Sequence, residues 1–401
     1  MLLTTIRFVV ATLSIVLFAG NGMAQAYLHQ VFVLNEGWSN WQTGEMIEPA
    51  TLGVYDPGLQ TYSVLDTLEG AGFVSDALIL DERLYIAADG QLLMFDANSY
   101  ELLTSVQVVG IRQMVHAEGR IYVTRGDVDE GGLNLPLDAY LQWYNAETLL
   151  LEGALSSNAG PEYATEGIAL IEDQLFIGIN NAFDWGNEVG RIGRFDLNTE
   201  TYVEWDLGEE GKNPNHLFAT DGQIMSVNNR DYGSTSLSVL NPQLDVVETV
   251  LVSEANAGCL AATMDGSTLK YQITGEGQVR ASHVSSPAIS TPWLEDSPAY
   301  YGVVVDPVSG DWYGSVTDYS TFGYIEIRDT EGTFQGQFEC GVSPGVLCAD
   351  VRNLNQVMEI QEERRPFESP VDVAGRRTPG SFHGFQLIIG SDGQKVLRTR
   401  Q

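Results

Sequence analysis

The residues best suited to chemistry in this chain sit in runs of aromatics and amides separated by short apolar stretches. Asn35, Glu36, Trp38, Asn40 and Trp41 form the first such run. Asn180, Asn181, Phe183 and Trp185 form another, followed by Asn228, Asn229, Arg230 and Tyr232, and by Asp318, Tyr319 and Phe322. Tyr163, Asn213, Asn215, His216 and Tyr300 precede other apolar stretches, and Arg125 opens an insertion that ends at Leu137. Aromatic rings contribute large contact area at little side-chain entropy cost, while Asn and Arg give directional hydrogen bonds. The mixture suits capture of a neutral or amphipathic ligand, or of a protein partner. The ligand-binding set expected is Asn35, Glu36, Trp38, Trp41, Arg125, Tyr163, Asn181, Trp185, Asn215, His216, Asn228, Asn229, Arg230, Tyr232 and Tyr319. The alternative is a metal-dependent hydrolase or lactonase, with Glu36, Asn181, Asn228 and Asp318 around the metal.

Signals of catalysis are weak. His29, His116, His216, His283 and His383 are scattered without metal-ligand spacing. The chain has no Gly-x-Ser-x-Gly elbow and no phosphate-binding glycine loop. Asp127-Val128-Asp129-Glu130 lacks the spacing of a calcium loop and reads as a solvated acidic turn. No cofactor is expected.

The elements that position these runs repeat. An aromatic or aliphatic residue followed by Asp or Asn ends a short β-like run at Tyr55-Asp56, Phe95-Asp96, Tyr144-Asn145, Phe195-Asp196, Leu240-Asn241 and, in weaker form, Arg328-Asp329. With a degraded copy at His283-Val284, the steps run from 40 to 51 residues. Several short strands at this period mark a β-propeller. Second strands fall near Val31, Arg83, Arg120, Gln174, Gln223, Thr268 and Asp311; inner strands fall near Ser75, Ile111, Glu166, His216, Cys259, Gly302 and Val346. The two series are offset, so the last inner strand must join the first three strands. The expected fold is all-β, a seven-bladed propeller over residues 27–352, closed in that way, with a small C-terminal β tail.

Composition bounds the partners. With 54 acidic and 20 basic residues the net charge is −34, and only Lys212, Lys270 and Lys395 are lysines. Such a charge repels nucleic acid and anionic lipid. An acidic, lysine-poor surface is the adaptation of high-salt organisms; an acid-lined site for cations or basic ligands is the functional alternative, and the two can coexist.

Arg7, the apolar run Phe8 to Ala19 and Ala24-Gln25-Ala26 read as a signal peptide over residues 1–26. No later apolar run is long enough to span a membrane. Cys340 and Cys348 flank a Gly-Val-Ser-Pro-Gly turn, which makes a disulfide one expectation for an exported chain; Cys259 reads as a buried small residue. Residues 353–370 read as a linker and 371–401 as a separate β segment, less acidic than the ring.

Val31-Phe32-Val33-Leu34-Asn35-Glu36-Gly37, followed by Tyr55-Asp56 and later Gly341-Val342-Ser343-Pro344-Gly345, resembles the YncE-like exported propellers of Bacteroidetes-type bacteria. Some members capture corrinoids as surface lipoproteins; this chain lacks their lipidated Cys. The tail, with Val371 to Arg377, Gly384 to Ile389 and Gly393 to Arg398, resembles a type IX secretion sorting domain. That resemblance implies delivery to the cell surface through the type IX machinery.

Overall fold

A computed structural model describes residues 25–40, 43, 45–243, 245–258, 260–353, 385–389 and 395–399. Seven four-stranded antiparallel sheets stand around a central axis. Inner strands of blades 2 to 7 are Val74–Leu80, Ile111–Ala117, Thr165–Ile171, Pro214–Thr220, Ala262–Asp265 and Val303–Val305. Blade 1 takes its inner strand, Pro344–Asn353, from the far end of the ring and pairs it with Ala26–Asn35, Thr51–Asp56 and Thr61–Thr67. The closure expected from the offset of the two strand series is therefore present, and it leaves no blade without an inner strand.

The core explains why the strands read as unbroken apolar runs. Seven buried clusters fill the seven gaps between neighbouring blades. Side chains alternate across a strand. Leu84 and Ile86 therefore face blade 1, while Tyr85 and Ala87 face blade 3. Both faces of each blade are covered, which removes the polar alternation of a one-sided sheet. In the gap that closes the ring, Tyr313, Ile325 and Cys340 of blade 7 meet Val31, Val33, Tyr55 and Leu347 of blade 1.

The repeated Asp or Asn holds the turn into each outer strand. Asp96 Oδ1 accepts the amides of Asn98 and Ser99, and Asp196 Oδ1 those of Asn198 and Thr199. Asn145 and Asp329 do the same. In the degraded sixth copy His283 takes over, its Nδ1 accepting the amide of Ser285 at 3.1 Å.

The expected disulfide is absent: Cys340 and Cys348 are both free thiols. Cys340 packs into the gap between blades 7 and 1, whereas Cys348 faces the gap between blades 1 and 2. A sheet therefore separates the two sulfurs. Burial pushes both thiols up to about 12, so neither is a reactive thiolate. Cys259, Trp41, residues 1–24 of the expected signal peptide and residues 354–370 of the expected linker lie outside the described residues, while Asn353, expected in the linker, ends the inner strand of blade 1. In the tail, Phe385–Ile389 pairs antiparallel with Lys395–Thr399. No helix among the described residues is long and apolar enough to cross a membrane.

Candidate functional site

Five blades build one corner in the same way. The first residue after the second strand donates its amide to a carbonyl just before the inner strand. The donors are Glu36, Asp89, Gly126, Asn180 and Asn229; the acceptors are Ser343, Phe73, Gly110, Ala164 and Asn213. Two residues beyond each acceptor, the inner strand bulges at Gly345, Ser75, Arg112, Glu166 and Asn215. A bulge re-aims a side chain out of the regular ladder. Here the bulges lie at the innermost edge of the ring, where the inner strands line the channel.

Arg112 and Glu166 occupy adjacent bulges. The Arg112 Nε donates to both Glu166 oxygens at 3.0 Å and its Nη2 to Oε1 at 2.7 Å. The guanidinium also lies over the rings of Phe73 and Phe183, at 5.3 and 5.4 Å from their centroids. Phe183 reaches this place across Gly126, where a Cβ would come within 2.7 Å of its ring. That contact accounts for glycine at the third corner.

Glu36 is 8% exposed and accepts hydrogen bonds from the Tyr301 hydroxyl at 3.1 and 3.0 Å. Burial raises its carboxyl to about 8, assisted by the negative charge of Asp89 and opposed by the Tyr301 hydrogen bond and by Arg112. Asp76, recessed beside the second bulge, accepts the amides of Met114 at 2.7 Å and Ala77 at 2.9 Å. Burial raises it to about 7, and Glu166 adds to the rise. His216 has its Nε2 enclosed without a partner, and burial lowers its pKa.

The raised pair sets a direction for stability. Both carboxyls bind a proton more tightly in the folded chain than in the unfolded one, so their ionisation opposes folding. Their contribution is complete below about pH 4 and is lost as the pH rises through about 7 to 8. Asp76→Asn is expected to flatten the decline in stability between about pH 4 and 7, measured by urea unfolding across that range. An unchanged slope would remove Asp76 as its source.

The expected ligand-binding residues divide into those that face outward and those engaged in the scaffold. Trp185 is 71% exposed and stacks on Tyr232 at 5.0 Å, joining the loops of blades 4 and 5. Tyr319 meets Tyr301 edge-on at 5.1 Å. Trp38 is exposed on a hairpin of Trp38–Asn40 with Glu45–Glu48, beside exposed Met46 and Ile47. Asn215 and His216 lie at the fifth bulge.

The remaining residues make internal contacts. Asn35 donates to Thr51 and Tyr62, and Asn181 to the Asn187 carbonyl. Asn228 is held by Ser226, Ser236 and Ser238 inside blade 5, and Asn229 reaches the Gly258 carbonyl. Arg125 braces the carbonyls of Val109 and Ala139; Arg230 pairs with Glu210; Tyr163 lies under Arg191. These amides and cations join neighbouring loops to one another.

The four residues of the hydrolase alternative are differently engaged. Asn228 is buried in its blade, and Asp318 caps its own turn through Ser320 and Thr321, which lowers its pKa to about 2. Among the described residues, no three His, Cys, Asp or Glu come together to hold a metal ion. In the acidic insertion of blade 3, Asp129 Oδ1 accepts the amides of Gly131 and Leu133, the work of a turn.

Sequence reasoning missed Phe73, Asp76, Asp89, Arg112 and Tyr301, and read Glu166 only as the start of a strand. A signal was present: Arg112 and Glu166 are ionised residues near the start of otherwise apolar inner strands in consecutive blades.

No family profile and no curated protein matches the chain. Solved structures do. Hydrazine synthase from Kuenenia stuttgartiensis superposes with a TM-score of 0.54 at 11% identity, over 71% of this chain and 95% of that one. The fold is a seven-bladed β-propeller. At that identity the likeness concerns the fold alone. As many as 1152 solved chains match, so function must be argued from the site.

Proposed function

We propose that this chain is an exported, non-catalytic surface propeller that binds a small ligand or a protein partner on its long-loop face. The observation that supports this reading most is the pairing of a charged channel mouth with aromatic platforms around it. Glu36, Asp76, Arg112 and Glu166 supply directional polar groups, and Trp38, Tyr319 and the Trp185–Tyr232 stack supply exposed rings. Polar groups fix orientation and rings supply area. A sugar, a corrinoid or a peptide fits that division. Delivery to the surface rests on the signal-like first 26 residues and the resemblance of residues 371–401 to a sorting segment. The acidic ring accords with a high-salt exterior.

Mass spectrometry of small molecules retained by the natively purified protein would identify the ligand. Trp185→Ala is expected to weaken its capture by roughly twofold to tenfold, because a stacked aromatic contributes about 0.5–1.5 kcal/mol. The melting temperature should stay within about 1 °C, since exposed positions carry little stability. Capture unchanged in both Trp185→Ala and Trp38→Ala would remove the proposed face.

A further inference from the structure

Six carboxylates among the described residues are more than nine-tenths buried: Glu36, Glu166, Glu188, Asp306, Glu326 and Asp350. Three have an arginine: Arg112 for Glu166, Arg328 for Glu326 and Arg352 for Asp350. Glu188 accepts the amide of Gly186, and Asp306 the amide of Val308 and the hydroxyl of Ser309. Glu36, like Glu188, has a single donor and no ion pair, but its donor is a side chain from another blade rather than an amide of its own turn. Its carboxylate accepts from one phenol, that of Tyr301, and joins none of the ion pairs. A buried carboxylate is stable as an anion only with a compensating charge or several donors.

The surroundings keep this carboxylate in place and give it aromatic walls. At Gly345, a Cβ would stand 2.2 Å from Glu36 Oε1, so the inner strand of blade 1 makes room for the side chain by lacking one. Gly37, at φ 74°, holds the following backbone against the Glu48 carbonyl. Tyr301 carries the hydrogen bond and meets Tyr319, which is half exposed, at right angles. Asp89, at the equivalent corner of the next blade, adds negative charge nearby. A carboxyl outside the ion pairs, set next to aromatic faces, is the chemistry that receives a cation.

We propose that the channel mouth binds its ligand through a protonated amine or guanidinium group, paired with the Glu36 carboxylate and flanked by Tyr301 and Tyr319. This deepens the proposed binding face and rests on it. The ligand class becomes a cationic one, such as a basic peptide side chain or a polyamine. The titratable and charged groups facing Glu36 are Tyr301, Asp89 and Arg112. With a carboxyl raised to about 8, Glu36 holds its proton at neutral pH until the cation arrives. Binding then releases that proton to solvent, and affinity rises with pH toward about 8.

The test is calorimetry on the full chain with 1,5-diaminopentane and arginine methyl ester as probes, and 1,5-pentanediol as the uncharged counterpart. The amines should bind roughly tenfold or more tightly than the diol, and Glu36→Gln should remove that preference. Tyr319→Leu should weaken binding by roughly threefold. Glu248→Gln, an acidic change on an outer strand, should leave binding unchanged at matched salt, separating the site from the general field of the ring. Buffers of different ionisation enthalpy should report proton release at neutral pH for the native chain and none for Glu36→Gln. If the Gln variant melts early, Tyr301→Phe with the same probes and buffers supplies the comparison.

Equal binding of amine and diol, no binding of either amine, or undiminished amine binding by Glu36→Gln would each overturn the proposal. A retained neutral ligand that is lost in Trp185→Ala, with no amine binding, would overturn the cationic class while the binding face stands. No retained ligand and no amine binding would overturn both the cationic class and the small-ligand reading of the face.

Discussion

Ending the chain at Ser343 is expected to abolish cooperative folding, whereas ending it at Asn353 should leave the ring intact. Residues 344–353 supply the inner strand of blade 1, paired along the length of Ala26–Asn35. Without them Leu347 leaves the closing gap, and Val346 and Cys348 leave the next one. Each buried side chain of this kind is worth about 1.5–3 kcal/mol. Polar ties go with them. Asp350, fully buried, accepts from Arg352 and from Gln30 Nε2 at 2.9 Å. Gln30 in turn donates to the Ala97 carbonyl and accepts from the Tyr100 hydroxyl, which links blade 1 to blade 2.

Removing the strand therefore costs an amount comparable with the ~5–15 kcal/mol that stabilises a typical domain. It also bares an apolar strand edge able to pair with other copies. Thermal melts followed by circular dichroism, with size-exclusion chromatography, check both outcomes; a monomeric, cooperatively melting product of the longer deletion would overturn the account of closure. The chain ended at Asn353 has a second use: normal surface display without residues 354–401 would remove the sorting assignment.

Arg112→Ala is expected to destabilise the ring by about 3–5 kcal/mol, because it strands Glu166 as a buried, uncompensated anion. The main chain of Glu166 is pinned. Its carbonyl accepts the Thr124 hydroxyl at 2.6 Å, and Thr124 also accepts the Gln113 amide, so the main chain cannot shift to carry the carboxylate to solvent without disturbing two inner strands. The paired change Arg112→Met with Glu166→Leu should recover most of the loss, since apolar replacement of a buried ion pair is often neutral or better. Urea unfolding of the single and double variants measures the difference. A single variant within about 0.5 kcal/mol of the native chain would show that water reaches the pair and that the mouth is more open than its burial indicates. Arg112 also anchors Phe73 and Phe183, so ligand capture should weaken in the single variant and recover only in part in the double one.

The misreadings have physical sources. Asn228 looked like a loop amide because Asn favours turns, but it ends a second strand and turns inward onto the blade's serines. The two thiols looked bridgeable because eight residues and a turn separate them. Strand alternation then sends their side chains into different gaps, which spacing alone does not reveal. Trp185 and Tyr319 were legible as outward aromatics because exposed rings in polar loops have few structural alternatives.

By itself, the sequence determined the number of blades, the place of nearly every inner and second strand, and the closure of the ring. Each of these follows from local periodicity: a strand must alternate, a turn needs its Asp or Asn, and an orphan strand at each end must find a partner. Only the tertiary structure decided which charged residues meet. Arg112 and Glu166 are 54 positions apart, and Glu36 and Tyr301 are 265 apart. Arg112 and Glu166 meet because bulges in neighbouring blades turn both toward one axis, and Glu36 meets Tyr301 because closure sets blade 1 beside blade 7; a radial arrangement leaves no trace in any local stretch of residues.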